Sequence, residues 1–100
     1  MAHEIIWTRR ANETYGKIIN YLEKEWTERE VRQFFLAVEE KLKVIDAFPE
    51  IFTKAGNRRN IRKAVISEQT VLLYRYLKIK QQIELLVFWD TRQNPKRIRF

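Results

Sequence analysis

Five cations, Lys54, Arg58, Arg59, Arg62 and Lys63, fall within ten positions of the chain. A run this dense suits one kind of chemistry, the holding of phosphate or carboxylate groups. Ammonium and guanidinium groups supply charge and hydrogen-bond donors, but near neutral pH they exchange protons poorly. The run therefore reads as a binding surface first and as a solvated loop that aids solubility second. His3 is the single histidine. No ligand set surrounds it, so it is expected to be an incidental surface residue, and neither a metal site nor a cofactor is expected. Without cysteine, disulfides and thiolate metal sites are excluded.

The rest of the composition bounds what can position these cations. A chain of 100 residues, 45% of them hydrophobic, can bury one core, so residues 1–100 read as a single domain. The net charge of +7 predicts attraction to nucleic acid, to an acidic partner or to an anionic surface, without choosing among them. Met1 to Trp7 lacks the pattern of a secretory signal, and no segment approaches a membrane span. A soluble protein of the cytoplasm is the expectation.

Hydrophobic periodicity supplies the elements. His3 to Trp7 ends in β-formers and reads as an edge strand. Thr8 then caps a helix to about Trp26, with Ala11, Tyr15, Ile18, Ile19, Leu22 and Trp26 recurring every three or four residues. Thr27 and Glu30 form a capping box that starts a second helix at once. Its buried stripe is Val31, Phe34, Phe35, Val38, Leu42 and Ile45, and it ends at Phe48-Pro49, because the residue before proline disfavours helix. Residues 49–60 are irregular, with Gly56-Asn57 as turn chemistry.

A strand follows at Asn60 to Ile66, then a hairpin of Thr70 to Leu77 and Gln82 to Trp89. Both alternating faces of that hairpin are largely apolar, as in strands covered on two sides. One helix layer covers only one side. The other apolar set, either Leu72, Tyr74 and Tyr76 or Val71, Leu73 and Leu77, reads as a partner surface unless the sheet curls over itself. Trp7 and Trp26, which bracket the first helix, read as core residues, and Trp89 is open. The expected fold is α+β: an N-terminal strand and an antiparallel helix hairpin packed on one face of a small antiparallel β-sheet.

A strand, a helix hairpin, a basic loop and three antiparallel strands ending in Leu85-Leu86-Val87-Phe88-Trp89-Asp90-Thr91-Arg92-Gln93-Asn94-Pro95 resemble the RelE/ParE superfamily, the toxins of bacterial type II toxin–antitoxin modules. The more specific parts are Leu73-Tyr74-Arg75 and the segment Trp89 to Pro95. The resemblance implies a growth-inhibitory toxin associated with plasmid stabilization. It also implies neutralisation by a cognate antitoxin, whose C-terminal segment wraps the toxin and is often acidic. The target is DNA gyrase for ParE-like members and translated mRNA in the ribosome for RelE-like endonucleases. A basic nucleic-acid-binding module without toxicity is the reading from another class.

RNA cleavage by 2′-hydroxyl attack needs a proton acceptor, a proton donor and cations for the phosphorane. The target- or nucleic-acid-binding candidates are Arg92, Arg75, Arg62, Lys63, Arg59, Arg58 and Lys54. Arg92 matches the arginine that follows the last strand in RelE-like nucleases. Two departures count against cleavage: Val71 stands where those enzymes often carry an arginine, and no Tyr or His follows Arg92. Gyrase inhibition is the favoured expectation, with ribosome-dependent cleavage as the alternative. Plainer roles are an ion pair of Arg75 with Glu39 or Glu40, and of Arg92 with Asp90. The partner-binding candidates are Leu72, Tyr74, Tyr76 and Trp89.

Overall fold

The computed structural model describes residues 2–56 and 60–91. Strand β1 (Glu4–Trp7) leads into α1 (Arg9–Glu25), where the Thr8 hydroxyl accepts the backbone N–H of Ala11 and so caps the first turn. Helix α2 (Glu28–Ala47) begins two residues after Trp26, the C-cap of α1. The Thr27 N–H donates to the Glu30 carboxylate at 3.2 Å, the returning arm of the expected capping box. Strands β2 (Thr53–Lys54), β3 (Ile61–Ser67), β4 (Thr70–Leu77) and β5 (Gln82–Asp90) follow among the described residues.

The strands form one sheet in the order β1-β5-β4-β3-β2. As expected, β3, β4 and β5 are antiparallel neighbours, and the helices cover one face. Two features extend the expected sheet. Strand β1 runs parallel to β5, with Ile5 opposite Ile83 and Trp7 opposite Leu85, so the sheet is mixed. The segment read as irregular contains β2, which pairs Thr53 with Lys63 and Lys54 with Arg62.

Among the described residues regular pairing is interrupted twice, between Val65 and Ser67 of β3 and again in β5. Leu73 pairs with Val87 and Tyr74 with Leu85, which leaves Leu86 as an extra, unpaired residue. This bulge changes the parity of the strand. Before it Ile83 and Leu85 face the helices; after it Phe88 does. Helix α1 supplies partners for the edge that β1 leaves at this point. The Thr8 hydroxyl donates to the Leu85 carbonyl at 2.6 Å, and the Thr14 hydroxyl accepts the Phe88 N–H at 3.0 Å.

Under the helices lie Ala11, Phe34, Val38, Ile45, Ala64, Ile66, Leu72, Tyr74, Ile83, Leu85 and Phe88, with Trp7 and Tyr15 packed against them. Two residues expected inside are not. Trp26 is 56% exposed and Phe35 42%. Trp26 is the C-cap of α1, where the chain already leaves the helical path, so the apolar stripe no longer aims it at the sheet.

His3 is a structural tether rather than the incidental surface residue expected. Its side chain is 9% exposed, its Nδ1 lies 2.8 Å from the Asp46 carbonyl, and its ring meets Tyr76 edge-on at 5.4 Å. A carbonyl cannot donate, so Nδ1 carries the proton. The Asp46 carboxylate also accepts the backbone N–H groups of Ala2 at 3.1 Å and His3 at 2.8 Å. Burial opposes its charge, but the donors from Ala2 and His3 hold the carboxyl below its ordinary range.

A depressed carboxyl stabilises the fold fully above its unfolded pKa of about 3.9, and this contribution disappears as pH falls through the lower folded value. Asp46→Asn should therefore be less stable than the parent at neutral pH, and the difference should shrink below about pH 4. Urea denaturation across that window reads it directly; a gap that stays constant with pH would refute the assignment.

Candidate functional site: the outer face of the sheet

Cross-strand register sorts the candidates by face. Leu72 with Phe88, Tyr74 with Leu85 and Tyr76 with Ile83 form the row beneath the helices. The partner-binding assignment of Leu72 and Tyr74 is therefore corrected: both are fully buried core residues that a partner cannot reach. Tyr76 is half-buried in the same layer, against His3. Of the four, Trp89 alone lies on the outward row, opposite Val71.

The Tyr74 hydroxyl has an internal partner too, donating to the Pro49 carbonyl at 2.7 Å, and burial pushes its pKa up to about 12. It fastens the loop after α2 to the sheet. Tyr74→Phe should leave that carbonyl without its donor and cost about 1 kcal/mol, a fall in Tm of about 4–8 °C for a chain of this size. Calorimetry with an unchanged Tm would show that the hydrogen bond contributes nothing.

The outward rows pair Ile61 with Arg75, Lys63 with Leu73, and Val65 with Val71 between β3 and β4. Between β4 and β5 they pair Arg75 with Glu84, Leu73 with Val87, and Val71 with Trp89. Ile61, Leu73 and Val87 are buried although they stand apart from the cluster beneath the helices, so this face has its own apolar centre. Lys63 is exposed beside it, diagonal to Arg75 at the ~7–8 Å typical of such neighbours.

Arg75 pairs with a carboxylate, but not one on a helix. Its Nη1 lies 3.5 Å from Glu84 Oε1, directly across the strands on the outer face, which corrects the expected pairing with Glu39 or Glu40. Both side chains are partly exposed, so the pair is a weak restraint. Arg62 is drawn away from the outer face. Its Nη1 donates to the Phe52 carbonyl at 2.7 Å, and its Nη2 lies 3.9 Å from Glu50, with the side chain 14% exposed. It braces the loop after α2 and is not presented to a target.

Lys54 is exposed on the edge strand β2. Arg58, Arg59 and Arg92 lie outside the described residues. The structure thus brings Lys63 and Arg75 together, with Glu84 as the neighbour that sequence reasoning missed. The register of β4 against β5 identifies Glu84, which stands opposite Arg75 two positions from the Leu77–Gln82 pair that closes the hairpin.

Two cations beside an apolar centre can bind an anionic, partly apolar surface. Among the described residues that register places on this face there is no histidine or tyrosine. Among the described residues, too, no group of His, Cys, Asp or Glu could hold a metal ion, and no helix is long and apolar enough to cross a membrane.

On the opposite side of the sheet an open groove of about 480 Å3 runs between α1 and the ends of β4 and β5. Its apolar lining is Ile18, Tyr21, Leu22, Trp26 and Phe34 from the helices with Val87, Phe88 and Trp89 from β5, and Glu13 and Asp90 also border it.

The description "ParE toxin of type II toxin-antitoxin system, parDE" belongs to a family model that matches residues 5–95. No curated protein matches in sequence. Several solved structures share the fold. The chromosomal ParDE toxin–antitoxin system of P. aeruginosa includes a chain that superposes with a TM-score of 0.71 at 12% identity, over 89% of this chain and 96% of that one. The isolated E. coli RelE toxin gives 0.65 at 14% identity over 95% and 90%. A chain of the YoeB-YefM complex from Staphylococcus aureus gives 0.59 at 15% over 89% and 97%. With the strand order, the helix hairpin and the match over residues 5–95 agreeing, the chain belongs to the ParE toxin family and is the toxin of a type II toxin–antitoxin module.

Proposed function

We propose that the toxin arrests growth by binding DNA gyrase in the cytoplasm without a hydrolytic step of its own, and that a cognate antitoxin with an acidic segment neutralises it. The observation that carries this reading is the chemistry of the outer face. Lys63 and Arg75 offer charge, Val65 and Val71 offer apolar contact, and the neighbouring Glu84 carboxylate is engaged by Arg75. Such a face is equipped to bind a protein or nucleic-acid surface more than to move protons.

Arg92, two residues past the end of β5 in sequence, is assigned to the same target contact from its place after Trp89-Asp90-Thr91. A supercoiling assay with purified gyrase tests the reading. The toxin should inhibit, Arg92→Ala should inhibit at least about tenfold less, as for one lost charged hydrogen bond, and mRNA 5′ ends mapped after induction should show no new cuts within codons. Unimpaired gyrase together with fresh cuts in translated messages would replace this reading with the ribosome-dependent endonuclease.

A further inference from the structure

Ile79 sits in the turn between β4 and β5 and is 100% exposed, the most open of the large apolar side chains among the described residues. Turns favour Gly, Asn, Asp and Ser, and a β-branched side chain left wholly in water gains nothing from burial. Lys78 and Lys80 flank it, and neither forms an ion pair among the described residues. Residues 69–83 contain no Asp or Glu but hold three cations, Arg75, Lys78 and Lys80. Of the carboxylates on the neighbouring strands, Glu84 is engaged by Arg75, and Glu4 Oε1 accepts the Gln82 side-chain amide at 2.9 Å.

The turn is held in shape from behind. The Lys78 carbonyl accepts both the Gln81 backbone N–H at 3.2 Å and the Gln81 side-chain amide at 2.8 Å. Gln81 has a left-handed backbone, φ 54°, a conformation that costs a residue with a side chain and that these two bonds maintain. Its carbonyl accepts the Glu4 N–H at 3.0 Å, which ties the base of the turn to β1. Ile79 is thus carried on a fixed support between two cations, and a support already ordered loses little freedom on binding.

We infer that this turn is a DNA-contacting tip: Lys78 and Lys80 rest on backbone phosphates of a duplex while Ile79 enters its minor groove as a wedge against a base step. Apolar wedges of this kind partly unstack the step and kink the duplex. A duplex suits the tip better than an acidic protein does, because it carries one negative charge per ~1.7 Å of its axis. Two lysines on long flexible stems find phosphates there in any register, whereas a protein would have to set two carboxylates around one slot. An anionic lipid surface suits it less, since binding there grows with buried apolar area and residues 78–81 offer one apolar side chain. The inference rests on DNA gyrase being the target, and it names the ligand at the far end of the outer face. Arg75 stands three residues before Lys78, about 10 Å along the chain, so the wedge and the outer-face cations can meet one duplex.

The test uses the full chain and a duplex of about twenty base pairs with a fluorophore at each end, without gyrase. Anisotropy should show binding that weakens with salt. Lys78→Gln combined with Lys80→Gln should lower the slope of log K against log salt by about 1.8, as for two phosphates, and weaken binding about tenfold or more. Energy transfer between the duplex ends should rise on binding, reporting the bend. Ile79→Ala should abolish that rise while keeping the salt slope, Ile79→Met should restore it, and thermal melting should be unchanged, since all three positions are exposed. In the supercoiling assay Ile79→Ala should inhibit several-fold less than the parent.

No binding of the duplex at low salt, or a salt slope that the double lysine variant shares with the parent, overturns the inference. So does an unbent duplex, or one bent equally by Ile79→Ala. Tighter binding to phosphatidylserine vesicles than to the duplex, lost in Ile79→Ala, would make the turn a lipid anchor instead. Weaker gyrase inhibition by Ile79→Ala with duplex binding and bending as in the parent would place the slot for Ile79 on a protein. A toxin that binds and bends the duplex as described but leaves gyrase uninhibited refutes the target alone; one that inhibits gyrase without binding the duplex refutes the tip alone.

Discussion

Phe88→Ala is expected to remove about 3–5 kcal/mol of folding free energy, a large share of the ~5–15 kcal/mol typical of a domain. Phe88 is 3% exposed and lies against Trp7 at 5.6 Å between ring centroids and Tyr15 at 5.2 Å. It therefore joins β1, α1 and β5 in one aromatic cluster. Its truncation leaves a cavity where three elements meet, and none of them can move in to fill it without breaking its own pairing. The Phe88 N–H bond to the Thr14 hydroxyl loses the same support. Urea denaturation should show the midpoint falling by roughly a fifth or more, and Phe88→Leu should recover much of the loss. A change below about 1 kcal/mol, within the range of ordinary surface substitutions, would show that this cluster is peripheral to the fold.

The second large effect is on function. Lys63→Glu combined with Arg75→Gln should reduce target inhibition about 100-fold or more, since each charged hydrogen bond to a partner is worth about 1.5–3 kcal/mol. Stability should barely change. Lys63 is exposed, and Arg75 loses only a half-exposed ion pair with Glu84. The combination is informative because both changes fall on one face, away from the core beneath the helices. Growth arrest on induction and gyrase supercoiling in vitro give the two readouts, with thermal melting to establish that the variant folds. Full toxicity in a folded variant would move the target surface elsewhere on the molecule.

Much of the fold was readable because each helix states its own limits. Thr8, the Thr27–Glu30 box and Phe48-Pro49 set boundaries that fall within a residue or so of α1 and α2, and the hairpin of β4 and β5 follows its apolar runs. What sequence could not supply was pairing at a distance. The parallel seat of β1 on β5 brings together residues more than seventy apart, and the bond from His3 to Asp46 spans forty-three positions. Nothing local in either segment encodes them.

The site was legible as composition and not as geometry. The basic run Lys54 to Lys63 reads as one patch in sequence, yet register sends Arg62 inward to Phe52 and Glu50 and leaves Lys63 outside. Tyr74 stood out as a motif residue and proved to be a core residue, because alternation fixes which residues share a face but not which face meets the helices.

The extra residue at Leu86 gives β5 something like a reading frame. Upstream of it the odd-numbered positions Ile83 and Leu85 belong to the interior; downstream the interior belongs to even-numbered Phe88. A strand without Leu86 would alternate without a break. Deleting it would leave every facing as it is, with Leu85 opposite Tyr74, Val87 opposite Leu73 and Phe88 opposite Leu72, and would remove only the bulge. Related chains are therefore best aligned at this strand by the position of the bulge and not by the letters around it, since one misplaced gap would assign core residues to the target surface.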